Sequence, residues 1–158
     1  MDSVGYIGIN AKMNELSAAY GLSLLPYMDN TISKIDHINS VYRKLLKKVK
    51  GVSFFELHKE IKGNRQYLVI FIDEKLFGIT RDHLWVFLWN KGIETRRYFY
   101  PGVHMCEPYR SHDKILNTAL PVTQKVAEKI LCLPCYYDLK DEEIGKICDL
   151  IKEAGPKM

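Results

Sequence analysis

From Met28 to Val49 the apolar residues Ile32, Ile35, Ile38, Val41, Tyr42, Leu45 and Val49 recur every three or four positions, with polar residues between them. That spacing writes one apolar stripe along a long helix, and such a stripe has to be covered by other elements of a core. Lys44, Lys47, Lys48 and Lys50 crowd the end of the stretch, where cations suit the helix dipole, and Gly51 is placed to stop it. A chain of 158 residues has room for one domain built around that helix.

Other segments repeat the signals on a smaller scale. Asn10 precedes a stretch from Lys12 to Leu25 that carries Met13, Leu16, Ala19, Tyr20 and Leu24 on one helical stripe, and Pro26 interrupts it or begins the next helix. Val52 to Leu57 reads as a short strand, and a turn at Gly63-Asn64 leads into the apolar run Tyr67 to Ile72, a buried strand. Thr80 is a natural N-cap for a helix bearing Leu84, Phe87 and Leu88 and closed at Gly92. Ile93 to Phe99 alternates as a strand, and a Pro/Gly loop follows. The chain ends with a helix from about Pro121 to Leu131, a short strand from Cys132 to Cys135 and a helix from about Lys140 to Ala154. The expected fold is α+β, a small, mostly antiparallel sheet covered by helices and preceded by a long N-terminal helical segment. Residues 1–50 form the helical part and 51–158 the α+β part. The first ten residues hold glycine and apolar residues without a regular element, as though the chain began in mid-domain.

Several function classes drop out early. The longest apolar runs, such as Leu68 to Ile72, fall far short of a membrane span, and the N-terminus has neither a basic stretch nor an apolar signal core, so a cytoplasmic protein is expected. The four cysteines are then expected as free thiols. Cys132-Leu133-Pro134-Cys135 has redox spacing but follows a helix instead of opening one, which favours buried structural residues. His104 and His112 flank Glu107 and Tyr109, yet the prolines and glycine of that stretch prevent a helical ligand register, and no metal site is expected. A net charge of +4 suits an anionic ligand but is too dispersed for nucleic acid; a small RNA-binding domain would also need an aromatic strand motif that is missing. No Ser-His-Asp or Cys-His order stands out for nucleophilic catalysis.

Two constellations remain. Gly5 to Lys12 sets two glycines, Asn10 and Lys12 ahead of a helix start, where free backbone N–H groups attract anions, although a plain turn would look the same. Arg96 and Arg97 are adjacent in an extended stretch, so only one of them faces a given site, where it would fork onto a phosphate or carboxylate. The aromatic and polar residues from Tyr98 to Tyr109 would make a lid over a polar, ring-shaped ligand.

Taken together, these segments resemble the C-terminal part of the DegT/DnrJ family, pyridoxal-phosphate-dependent aminotransferases acting on nucleotide sugars. The resemblance is carried by Gly8-Ile9-Asn10-Ala11-Lys12-Met13 with Ala18-Ala19-Tyr20-Gly21, by Gly78-Ile79-Thr80-Arg81-Asp82, and by Lys91-Gly92-Ile93-Glu94-Thr95-Arg96-Arg97. Tyr100-Pro101-Gly102-Val103-His104 with Glu107-Pro108-Tyr109-Arg110, and Leu120-Pro121 with Leu133-Pro134, complete the register. It implies the small domain of a type I aminotransferase fold, with residues 1–50 on the interdomain and dimer side. It also implies amino transfer from glutamate to a nucleotide-linked 4-keto-6-deoxy sugar in a homodimer. Asn10 and Lys12 would reach the cofactor phosphate; Lys12 stands where the family often has arginine, giving a point charge instead of a fork. Arg96 or Arg97, His104 and Tyr109 would contact the substrate. In the family the covalent lysine, the aspartate paired with the pyridine nitrogen and the stacking aromatic residue lie upstream of the segment matching Gly8, so the large domain that holds them is expected to be absent from this chain and no catalytic residue is assigned. The expectation is a truncated or split half, inactive without a lysine-bearing partner chain. The alternative is a non-catalytic module for nucleotide-sugar binding or dimerisation.

Overall fold

The computed structural model describes residues 11–111 and 119–155. Its elements are α1 (Glu15–Leu24), α2 (Met28–Leu46), β1 (Val52–Phe54), β2 (Leu68–Ile72), α3 (Glu74–Phe77), α4 (Arg81–Asn90), α5 (Pro121–Lys129), β3 (Ile130–Leu133) and α6 (Asp141–Ala154), with short 3₁₀ turns at Leu25–Tyr27, Val103–Met105 and Tyr109–Ser111. The three strands form one antiparallel sheet in the order β1-β2-β3, as the α+β expectation requires.

The sheet's core face follows from alternation. Leu68, Ile70 and Ile72 point one way along β2 and are buried, whereas Val69 and Phe71 point the other way and are half-buried. Onto the first set pack Ile38, Tyr42 and Leu46 of α2, Leu84 and Leu88 of α4, and Ile144, Ile147, Cys148 and Ile151 of α6. Each such side chain contributes about 1.5–3 kcal/mol of transfer free energy, so the three helices and the strand make a single cooperative unit. Tyr42 is wholly buried and its hydroxyl donates to the Pro134 carbonyl at 3.1 Å; burial, with Cys148 and Cys135 nearby, pushes its ionisation up.

The caps match the expected starts. Thr80 accepts from the His83 N–H at 3.1 Å, and the Lys140 N–H donates to Glu143 at 2.9 Å ahead of the acidic first turn of α6. The first helix starts at Glu15, later than expected, because the Asn14 side chain takes the Ser17 N–H at 2.8 Å and ends the extended run there. Among the described residues nothing covers its stripe: Met13 is 76% exposed, Leu16 82% and Tyr20 66%, and no residue of α1 is buried.

The expected strand from Ile93 to Phe99 does not form. Only Arg96 pairs, with Cys132, through Arg96 N–H to Cys132 O at 3.0 Å and Cys132 N–H to Arg96 O at 2.7 Å. In an antiparallel ladder the next hydrogen-bonded partners would be Pro134 for Glu94 and Ile130 for Tyr98. Pro134 has no N–H to give. The Ile130 N–H already donates to Val126 O, and its carbonyl accepts from Arg81 at 2.7 Å. Pairing is blocked on both sides, and the chain after Arg97 leaves the sheet as a loop. The final strand accordingly runs Ile130–Leu133, two residues earlier than expected, and α5 stops at Lys129.

Gly51 and Gly92 both adopt left-handed backbone, with φ +80° and +79°. They differ in surroundings, since a Cβ on Gly51 would stand 2.4 Å from the Phe77 nitrogen and one on Gly92 would meet nothing within 4 Å. Gly92→Ala should therefore cost about 1 kcal/mol, the left-handed penalty alone. Gly51→Ala should cost about 3 kcal/mol or more, because the end of α3 at Phe77 must also move. Urea unfolding of the two variants side by side measures the gap, and equal midpoints would contradict it.

Candidate functional site

The first turn of α4 sets Arg81 and Asp82 against the start of β3. The Arg81 side chain is 1% exposed; its Nε donates to Asp82 Oδ1 at 2.9 Å and its Nη1 to the Ile130 carbonyl at 2.7 Å. Its Nη2 is buried without a partner among the described residues. Burial pulls the Arg81 guanidinium below the usual arginine value, and the Asp82 charge works against that shift.

The returning chain meets the same carboxylate. The indole N–H of Trp85 donates to the Thr95 carbonyl at 3.2 Å, the Arg96 bridge fixes the next residue, and Arg97 Nη1 then donates to Asp82 Oδ1 at 2.9 Å. The Arg97 guanidinium lies 4.0 Å from the Trp85 ring centre and 5.3 Å from that of Tyr100, and the Arg81 guanidinium lies 4.7 Å from Tyr100. Two cations thus share one carboxylate oxygen, leaving a net positive charge walled by aromatic rings, which is a favourable place for an anion. Arg96 points the other way, pairs with Glu94 and is half exposed. The structure therefore separates the two arginines that the sequence leaves equivalent.

Beyond Tyr100 the loop closes on itself through Met105 N–H to Gly102 O at 2.8 Å, Cys106 N–H to Val103 O at 3.0 Å and Arg110 N–H to Cys106 O at 2.8 Å. The His104 ring lies over Gly102, where a Cβ would stand 2.8 Å from its Cε1 and 3.4 Å from Thr123 of α5. His104 Nε2 is buried without a partner among the described residues. Tyr109 is half exposed in the next turn. Ser111 Oγ donates to Glu107 at 2.7 Å and Arg110 Nε at 2.9 Å, and these contacts hold the Glu107 carboxyl below its ordinary value of 4.5.

Arg97, His104 and Tyr109 thus belong to one continuous segment rooted on α4. Lys12 stands exposed just ahead of α1, and Asn10 and His112 lie outside the described residues. Among the described residues no three His, Cys, Asp or Glu side chains group as a metal site. Cys132 is buried in β3, and burial raises the thiols of Cys132 and Cys135, against a reactive pair. Arg81, Asp82, Trp85 and Thr95 are the residues that reading for motifs passes over as site members. One signal was available: an arginine directly after an N-cap sits at the positive end of the helix dipole, so something has to compensate it.

A separate groove of about 700 Å³ lies between α2 and the connection from β1 to β2. Two of its arginines are paired within it, Arg43 with Glu56 and Arg65 with Asp36.

The model of the DegT/DnrJ/EryC1/StrS aminotransferase family matches residues 2–152. The chain belongs to that family. It is 39% identical over 144 residues to a dTDP-4-amino-4,6-dideoxy-D-glucose transaminase of Escherichia coli, covering 91% of this chain and 38% of that protein. A GDP-perosamine synthase of Vibrio cholerae is 31% identical, with 92% and 38% covered. The crystal structure of DesI in the presence of its TDP-sugar product superposes with a TM-score of 0.83 at 35% identity, covering 92% of this chain and 36% of that one. This family member therefore spans a little over a third of the length of such relatives. No described helix is long and apolar enough to cross a membrane.

The depressed Glu107 carboxyl has a checkable consequence for pH. A carboxyl lowered in the fold stabilises the loop above its unfolded value and loses that contribution as pH falls through the folded one. In a carbon-detected NMR titration Glu107 should titrate below 4.5, and Ser111→Ala should move it back up. A Glu107 midpoint unmoved by that substitution would contradict the hydrogen-bond cause.

Proposed function

We propose that this chain is the substrate-facing part of a pyridoxal-phosphate-dependent aminotransferase that moves an amino group from glutamate to the keto carbon of a nucleotide-linked 4-keto-6-deoxy sugar. The observation that carries the proposal is the cationic, aromatic root of the 98–111 loop, where Arg97 is stacked on Trp85 and held by Asp82. Similarity to a transaminase and to a perosamine synthase, both named for nucleotide-linked amino sugars, supports the substrate class.

Arg97 presents a guanidinium whose plane is fixed by stacking, suited to a bidentate grip on a diphosphate oxygen pair. His104 brings a buried ring nitrogen and Tyr109 a phenol on the same loop, one to orient the sugar and one to shelter it from water. Arg96, paired with Glu94 on the opposite side, is the weaker candidate for contact with the same ligand. Asn10 and Lys12 are assigned to the cofactor phosphate, with the helix N-terminus adding backbone donors.

Pyridoxal phosphate, when bound, supplies the electron sink that makes the amino group transferable. Its covalent anchor has to be a lysine whose pKa a pocket depresses. Among the described residues every lysine is exposed or at most half-buried, and Lys129, one of the least exposed, is committed to Asp73 at 2.9 Å. The described residues fit the wall of such a site and not its anchor, so the anchoring lysine is assigned to protein outside them. Residues 1–50 are assigned to the interdomain and dimer side, which accounts for the exposed stripe of α1, and residues 51–158 to the small domain. The working assembly is a homodimer.

Calorimetric titration of the chain with a dTDP-sugar tests this. Arg97→Ala should weaken binding by about tenfold, the scale of one charge-assisted contact, and Arg96→Ala by less than about twofold. Equal losses for both variants, or no binding by the parent chain, would overturn the assignment.

A further inference from the structure

The loop that carries His104 and Tyr109 has almost no backbone attachment to the sheet. Its last ladder contact is the Arg96 pair with Cys132, and Pro134 and Ile130 prevent another. After that point Tyr98 packs edge-on against Tyr67 at 5.2 Å between ring centres, and the segment beyond it is held by a side-chain joint. Tyr100 lies against both guanidiniums, and both guanidiniums are held by the same oxygen of Asp82.

We infer that Asp82 is the positioning residue for the substrate loop: through Arg97 and Tyr100 it sets the place from which His104 and Tyr109 are presented. The inference rests on the proposed nucleotide-sugar reading only for what the loop binds, not for the joint itself. The side chain of Asp82 is half exposed, so it is not a core packing residue. Its contribution is to neutralise one of two adjacent cations while leaving the other for a ligand. Arg81 cannot take over, since its Nη1 is committed to Ile130 and its Nη2 is enclosed. Without Asp82 the two guanidiniums repel each other, Arg97 leaves the Trp85 face, and Tyr100 loses one of its two contacts.

Hydrogen exchange of the chain with Asp82→Asn, Asp82→Ala and Asp82→Glu separates positioning from general stability. In Asp82→Asn and Asp82→Ala the amides of Met105, Cys106 and Arg110, bonded within the loop, should exchange about tenfold faster, while those of β2 and β3 keep their protection. Trp85 emission should shift in the same variants, and Asp82→Glu should restore both readouts in large part. Arg97→Lys, which keeps the charge but not the planar fork, should loosen the same three amides and serves if Asp82→Ala does not fold. Dissociation constants for a dTDP-sugar should rise about tenfold in step with the loop exchange. Unchanged loop exchange in Asp82→Asn and Arg97→Lys overturns the positioning role whatever the ligand does. Faster loop exchange in these variants, together with a parent chain that binds no nucleotide sugar, upholds the joint and overturns the functional reading beneath it. Loss of protection throughout β2 and β3 in every variant would show a purely structural role.

Discussion

The enclosed guanidinium of Arg81 is the joint on which the functional end of the molecule depends. A cation cannot be taken from water into a core without compensation, and here the compensation comes from three separate parts of the chain: Asp82 beside it, the Ile130 carbonyl at the start of β3, and the Tyr100 ring in the loop. Each of those groups is consequently drawn to one point. The carbonyl that Arg81 takes is one that a fourth strand would need, so the same hydrogen bond that anchors α4 to the sheet also releases residues 98–111 from it. A region free of the ladder, yet fixed at its root, suits a surface that has to shape itself around a polar ligand.

Beneath that end lies an ordinary small core. The sheet contributes one buried face, α2, α4 and α6 cover it, and Tyr42 closes the layer by satisfying its hydroxyl on the Pro134 carbonyl. Pro134 thus ends the edge pairing by lacking an N–H and fastens α2 to β3 by its oxygen. The helices hold the positions of Thr80 and Arg81, and Thr80 fixes the start of α4 by capping. Core packing, cap and ion pair therefore act in series, from burial to the orientation of Arg97.

Much of this was legible in the sequence, and the parts that were not share a cause. The α2 stripe, the β2 run, the Thr80 cap and the acidic start of α6 are local patterns, and each reappears within a few residues of where periodicity and capping put it. The alternation from Ile93 to Phe99 does not become a strand because alternation reports only what a segment could do; whether it pairs depends on its neighbour, and that neighbour is occupied by Arg81 and broken by Pro134. The likeness of Gly78 to Asp82 to a family segment marked Arg81 and Asp82 without saying why they stand together. The division of labour between Arg96 and Arg97 likewise depended on Asp82, fifteen residues before Arg97, and no local pattern encodes that distance. The family itself was legible, because its segments stand in order along the chain.

Under the proposed function, the described residues form the wall facing the cofactor and leave its covalent anchor to protein outside them. The most direct measurement is borohydride reduction of the purified chain in the presence of pyridoxal phosphate, followed by peptide mass mapping. Only scattered, substoichiometric labelling of exposed lysines, unaffected by glutamate, is expected. One lysine of this chain labelled to completion, and protected when glutamate is added first, would contradict it.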